Sequence, residues 1–248
     1  MTRIFEALRK SRTTSEPVPF SAAGGPLQPV PVGRGSAAAR SEPLAPGVDV
    51  VIAPALPDDV AREMAALRIG LESALEDRPS RVVMFMSSIN REGTTTVAAQ
   101  FASMLATDKR LRVLALDLNA RRPALASRFA ARNRPDASRD EPRIALGRIG
   151  SEAPGAGLSP TAARAFITSV SGEYDWVVLD GPPVLDAPEA ADYASLADGI
   201  VMVLRSGHTK RPVVSRAVDL LRKSGARVLG TVLNRRRLEI PDFLYRRI

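Results

Sequence analysis

Large apolar residues along the chain gather into short continuous runs separated by stretches of helical spacing. Residues 82–86 (VVMFM), 112–116 (RVLAL), 176–179 (WVVL), 200–204 (IVMVL) and 227–233 (RVLGTVL) have the length and composition of strands buried on both faces. Between them, apolar positions recur at helical intervals. Val60, Met64, Leu67, Leu71 and Leu75 mark one face of a helix that Asp58 and Asp59 begin and Asp77-Arg78-Pro79 ends. Val97, Ala98, Phe101, Met104 and Leu105 mark a second helix over 95–106, and further helices are predicted over 159–170, 188–196 and 212–223. Residues 143–149 fit another strand, and 126–142, polar and holding Pro135 and Pro142, read as a loop. This alternation predicts an α/β fold: a doubly wound, mostly parallel sheet with helices on both faces and strand 82–86 central.

The ends of the chain follow other rules. Residues 1–10 (MTRIFEALRK) form a short amphipathic segment with Ile4, Phe5 and Leu8 on one side, either a docking peptide or a frayed terminus. Residues 11–57 are rich in Pro, Ala, Gly and Ser and are expected to be a disordered linker, because they cannot bury enough surface to offset their ordering entropy. The folded domain is expected over 58–236. The tail 237–248 places Leu238, Ile240, Phe243, Leu244 and Tyr245 between Arg235-Arg236-Arg237 and Arg246-Arg247, a pattern suited to an anionic membrane or a partner's acidic face.

Composition narrows the chemistry. The chain has 248 residues and no cysteine, which excludes disulfides and thiolate metal sites. Its one histidine, His208, cannot build an imidazole metal site and reads as a solvated loop residue. No apolar run approaches the roughly 20 residues that span a bilayer, and no signal peptide is expected. The formal net charge is +8. It favours an anionic partner, but the arginine clusters carry no interleaved aromatics, so nucleic acid is not the expected one.

Candidate chemistry lies in the turn after strand 82–86. Ser87 to Gly93 (SSINREG) joins a buried strand to a helix, the layout of a phosphate-binding P-loop, where loop amides and a helix N-terminus cradle polyphosphate. Against G-x-x-x-x-G-K-[ST], Ser88 stands for the first glycine, Gly93 keeps the second, and Thr95 keeps the hydroxyl that would reach Mg²⁺. Thr94 stands where the motif has lysine. Two acids close apolar strands, Asp117 and Asp180, as an acid that holds or orients Mg²⁺ does. Ligands of such sheets sit at the carboxyl ends of the strands, where these three segments are expected to meet.

Together, SSINREGTTT, LALDLNARRP, YDWVVLDGPPVLDAPEA and the ADGIVMVLRSG…LLRKSGARVLGTVLNR tail resemble the bacterial tyrosine kinases (BY-kinases), P-loop ATPases of capsule and exopolysaccharide systems within the MinD/ParA group. The resemblance covers about residues 60–236. It implies a cytoplasmic domain, peripheral to the inner membrane, that binds ATP or ADP with Mg²⁺ beside an inner-membrane polysaccharide co-polymerase or chain-length protein. It implies that Gly93, Thr94, Thr95 and Thr96 face the phosphates and that Thr95, Asp117 and Asp180 surround the metal. Asp117 and Asp180 would then be the catalytic acids, and Asn234 would contact adenine.

The departures from the family pattern are equally specific. Thr94 replaces the phosphate lysine, Arg91 sits where glycine is usual, and Asn119 replaces the second acid of D-x-D. The oligomerisation pattern E-x-x-R-x-x-R meets Arg62, Ala65 and Arg68, which keeps one arginine for a homo-oligomer contact. The C-terminal tyrosine cluster is missing, since the chain holds only Tyr174, Tyr193 and Tyr245. The expected function is therefore a kinase-like regulatory subunit of exopolysaccharide synthesis or export, with weak or lost catalysis and residual nucleotide binding. The alternatives are an active tyrosine autokinase and a MinD/ParA-type positioning ATPase.

Overall fold

The computed structural model describes residues 48–76, 78–119, 121–130, 141–147 and 159–235. Its centre is β2 (Arg81–Ser87), whose run Val82 to Met86 is wholly buried. Such a strand needs neighbours on both edges and cover on both faces, and it has both. It pairs in parallel with β5 (Trp176–Asp180) on one side and with β6 (Gly199–Arg205) on the other. The remaining strands are β1 (Val48–Ile52), β3 (Val113–Asp117), β4 (Arg143–Gly147) and β7 (Val228–Asn234), and the sheet order is β1-β4-β3-β5-β2-β6-β7.

Alternate residues of β2 serve opposite cores. Val83 and Phe85 face a layer built by α1 (Asp58–Ala74), α2 (Thr94–Ala106) and α3 (Leu125–Ala130). Val82, Met84 and Met86 face the layer of α4 (Pro160–Val170), α5 (Ala190–Ala194) and α6 (Arg211–Lys223). The sheet is doubly wound and parallel throughout except at β1, which runs antiparallel to β4.

The strands from β2 to β7 and the long helices fall within a residue or two of where the apolar pattern predicts them. Two elements do not. Strand β1 lies inside the segment expected to be linker. Its sequence VDVVI is β-branched, and pairing with β4 buries Val48, Val51 and Ile52. Helix α3 occupies part of the expected 126–142 loop. It forms because Leu125 and Phe129 are buried against α2 and because a distant carboxyl caps its first turn. Residues 1–47 and the tail 236–248, with Tyr245, lie outside the described residues.

Helix α2 is fastened to the sheet by an aromatic trio. Phe101 lies 5.4 Å from Phe85 and 5.6 Å from Trp176, ring centre to ring centre, and the guanidinium of Arg81 sits 5.4 Å above the Trp176 ring. Phe101→Ala is expected to cost about 3–5 kcal/mol in urea unfolding. Ile69→Ala, on the solvent face of α1 at 68% exposure, should stay within about 0.5 kcal/mol of the parent. Equal losses from the two would contradict this packing.

Candidate functional site

The chain leaves β2 toward β3 on one side and leaves β5 toward β6 on the other. That divergence opens a crevice at the carboxyl ends of the central strands. The loop 88–93 lies there and turns sharply into α2. Two of its residues have positive φ, Arg91 at 67° and Gly93 at 97°. Gly93 is required on two grounds: its conformation is left-handed, and a Cβ would meet the Asn234 amide nitrogen at 2.0 Å. Arg91 adopts a glycine-like conformation at a steric cost on the order of 1 kcal/mol, and it is exposed.

Long-range contacts hold this loop in place. Glu92, only 2% exposed, turns its carboxyl inward. One oxygen accepts the Ile89 amide at 2.9 Å; the other accepts the Thr209 hydroxyl and, at 3.5 Å, the Arg205 amide at the end of β6. The Glu92 carbonyl accepts from the Asn234 side chain at 2.9 Å, and the Asn234 oxygen accepts from Arg235 N at 2.8 Å. Asn234 is thus a latch on the loop from the end of β7. From the other side, Asp186 accepts from Asn90 through its backbone at 2.8 Å and its side chain at 2.5 Å. Val184 and Leu185 donate to the Ser87 and Ser88 carbonyls. Neither Glu92 nor Asp186 stood out in the sequence; the only signal was an acid on each side of a strand-terminal turn.

At the base of the crevice lie the two strand-terminal acids. Asp117 and Asp180 are register partners on adjacent strands. Asp117 accepts three backbone amides, from Asn119, Ala124 and Leu125 at 2.8–2.9 Å, so it caps α3 and shapes the turn beyond β3. Its burial nonetheless pushes its pKa up, the three hydrogen bonds opposing. Asp180 differs. It is 1% exposed, and neither oxygen has a hydrogen-bond partner. Burial pushes its carboxyl up to about 8, helped by the nearby charge of Asp117. The Thr95 hydroxyl, close but outside hydrogen-bond geometry, and the charge of Arg128 pull it down. The Ser88 hydroxyl is also buried without a partner.

Thr94 is the first residue of α2 and only 8% exposed; Thr95 and Thr96 follow on the same turn. No side chain caps the first amides of α2, which leaves them to an anion. Among the described residues no three His, Cys, Asp or Glu side chains group as a metal site. A divalent ion here would rest on one buried carboxyl, hydroxyls and the ligand's own oxygens. An orphaned buried carboxyl beside an uncapped helix N-terminus fits a magnesium–polyphosphate pair. Arg121, which follows Asp117, turns away from it to Glu189 at 3.2 Å. Tyr174 and Tyr193 are buried structural residues, and His208 is exposed.

No protein-family model matches the chain. It is 26% identical over 195 residues to the tyrosine-protein kinase YwqD of Bacillus subtilis, covering 72% of this chain and 82% of that one. To the tyrosine-protein kinase CpsD of Streptococcus agalactiae it is 34% identical over 70 residues, 28% of this chain and 31% of the other. To the succinoglycan biosynthesis transport protein ExoP of Rhizobium meliloti it is 27% identical over 193 residues, which span 68% of this chain but only 24% of that protein. The VpsO kinase domain shares the fold at a TM-score of 0.59 and 24% identity, covering 72% of this chain and 95% of that one. MinD of Pyrococcus horikoshii, solved with Mg-ADP, does so at 0.51 and 19%, covering 66% and 75%.

Because folding raises the Asp180 pKa from 3.8 to about 8, the folded protein keeps a proton that the unfolded chain has lost across that window, and stability falls as pH rises through it. In Mg²⁺-free buffer, Asp180→Asn is expected to stabilise the protein at the upper end of the window and to change little at the lower end. Each pKa unit is worth about 1.4 kcal/mol. Urea midpoints of parent and variant that stay a constant distance apart from one end to the other would contradict the burial of an unpartnered carboxyl.

Proposed function

We propose that this chain, a relative of the bacterial tyrosine kinases in sequence and fold, is a kinase-like subunit of exopolysaccharide or capsule synthesis or export that binds Mg·ATP or Mg·ADP weakly and transfers phosphate poorly or not at all. The observation that carries this reading is Thr94. It is buried at the first turn of α2, where the P-loop motif places an ammonium against the β- and γ-phosphates. Threonine adds a hydroxyl donor but no charge. Arg91 is exposed, and Arg128, exposed on α3, is the weakest of the influences on Asp180. In a crevice of lowered dielectric the missing charge weakens phosphate binding. It weakens turnover more, since phosphoryl transfer needs cations where transition-state charge develops.

What remains suits binding without chemistry. The amides of Gly93 to Thr96, at a helix start with no side-chain cap, would receive a phosphate group, and Asp180 with the Thr95 hydroxyl would hold Mg²⁺, which supplies charge neutralisation when bound. Asp117 is committed to three backbone amides and acts by positioning the turn that carries Asn119. Asn119 itself supplies no acid near a transferred phosphate. On this reading, the partner is an inner-membrane co-polymerase or chain-length protein, with a second copy of the chain as a further contact through α1. No helix among the described residues is long and apolar enough to cross a membrane.

Calorimetry with Mg·ATP and Mg·ADP, beside a phosphotyrosine blot of the expressed protein, tests this. Weak binding and no phosphotyrosine are expected. Thr94→Lys should tighten ATP about tenfold for each 1.4 kcal/mol regained, and Arg91→Ala should leave affinity unchanged. Loss of binding in Arg91→Ala would make Arg91 the substitute cation. Rapid hydrolysis or autophosphorylation by the unaltered protein would overturn the reading.

A further inference from the structure

Charge is spread very unevenly over this protein. Residues 199–235, from β6 through β7, hold eight arginine or lysine residues and one acid, Asp219, a net of +7 where the whole chain carries +8. Elsewhere five described arginines find carboxylates: Arg68 pairs with Glu72, Arg78 with Asp198, Arg110 with Asp108, Arg112 with Asp175, and Arg121 with Glu189. In this segment seven of the eight cations are exposed, and none forms an ion pair with a described residue.

Their placement is as telling as their number. Helix α6 buries Ala217 and Leu221 and presents Arg211, Arg216, Arg222 and Lys223 to solvent, with Lys210 just before it and Arg227 just after. The helix is thirteen residues long, so the cations are spread along roughly 20 Å. It packs on β7, the last strand in the sheet order. Among these charges two leucines are exposed, Leu220 on α6 at 40% and Leu233 on β7 at 58%. Helix-dipole complementarity accounts for Arg222 and Lys223 in the last turn, but not for Lys210 and Arg211 at the opposite end, where cations are disfavoured.

We propose that the outer face of α6 with the adjoining β7 edge is a docking surface for an anionic phospholipid bilayer. A broad face on which four cations of α6 outnumber the single exposed acid, Asp219, complements a flat anionic surface, and exposed leucines among the cations gain by entering the headgroup region. Single-stranded nucleic acid is the poorer fit, since residues 199–235 contain no Phe, Tyr or Trp on which a base could stack. The cations of this surface precede the basic tail 237–248 in sequence.

Sedimentation of the full-length protein with vesicles tests it, comparing phosphatidylcholine alone with phosphatidylcholine containing phosphatidylglycerol. Binding is expected only with phosphatidylglycerol, and is lost when salt shortens the Debye length to about 3 Å. Each neutralised cation should lower partitioning about fivefold, so Arg216→Gln/Lys223→Gln together lower it about 25-fold, while Arg110→Gln/Arg112→Gln leaves it unchanged. The same 25-fold loss should appear in a chain lacking 238–248, which separates this face from the tail. Absence of a phosphatidylglycerol preference, equal losses from the two variant pairs, or a loss that vanishes in the shortened chain would each overturn the proposal. So would tighter binding to a DNA duplex than to the anionic vesicles at the same salt.

Discussion

The buried carboxyl of Glu92 is the constraint on which the candidate site depends. One side chain joins the start of its own loop, through Ile89, to the end of β6, through Arg205 and Thr209. Its carbonyl is held by Asn234 from the end of β7. With Asn90 fixed by Asp186 beyond β5, the loop is anchored to all the strand ends that surround it. The left-handed conformations at Arg91 and Gly93 follow from this anchoring: the contacts impose the bend, and only at Gly93 does the residue suit it.

A loop held this way keeps its shape without a ligand. That matters for a site where Thr94 brings no charge. The geometry of a phosphate cradle comes from backbone amides and a helix N-terminus, both of which survive a side-chain change at the first turn of α2. Charge does not survive it. On the proposed function, a shaped but under-charged site is suited to sensing or holding nucleotide rather than to phosphoryl transfer. Asp180, buried and unpartnered, is the remaining feature that a bound cation would satisfy.

Much of this was legible in the sequence where the determinants are local. The runs VVMFM and WVVL needed nothing beyond continuity and length to be read as buried strands, and Asp117 and Asp180 were visible as the acids closing RVLAL and WVVL. Strand β1 was hidden because five residues at a sheet edge carry little pattern and follow a Pro- and Ala-rich stretch. Helix α3 was hidden because its cap, Asp117, lies seven and eight residues before the amides it holds, outside any local capping motif. Glu92 looked like an ordinary polar turn residue. Its partners Thr209 and Asn234 lie 117 and 142 residues away, a distance that no window along the chain spans. The same separation hid the bond from the Asn234 side chain to the loop.

Amide hydrogen exchange of the ligand-free, full-length protein tests the preassembled loop most directly. The Ile89 amide, bonded to the Glu92 carboxyl, and the Arg205 amide, shared between that carboxyl and the Thr209 hydroxyl that it holds, are expected to be protected in the parent. In Glu92→Ala they should exchange at least about tenfold faster, equivalent to about 1.4 kcal/mol of lost protection, while the buried amides of β2 hold their rates. Loop amides that exchange at open-chain rates in the parent, or that are indifferent to Glu92→Ala, would contradict it.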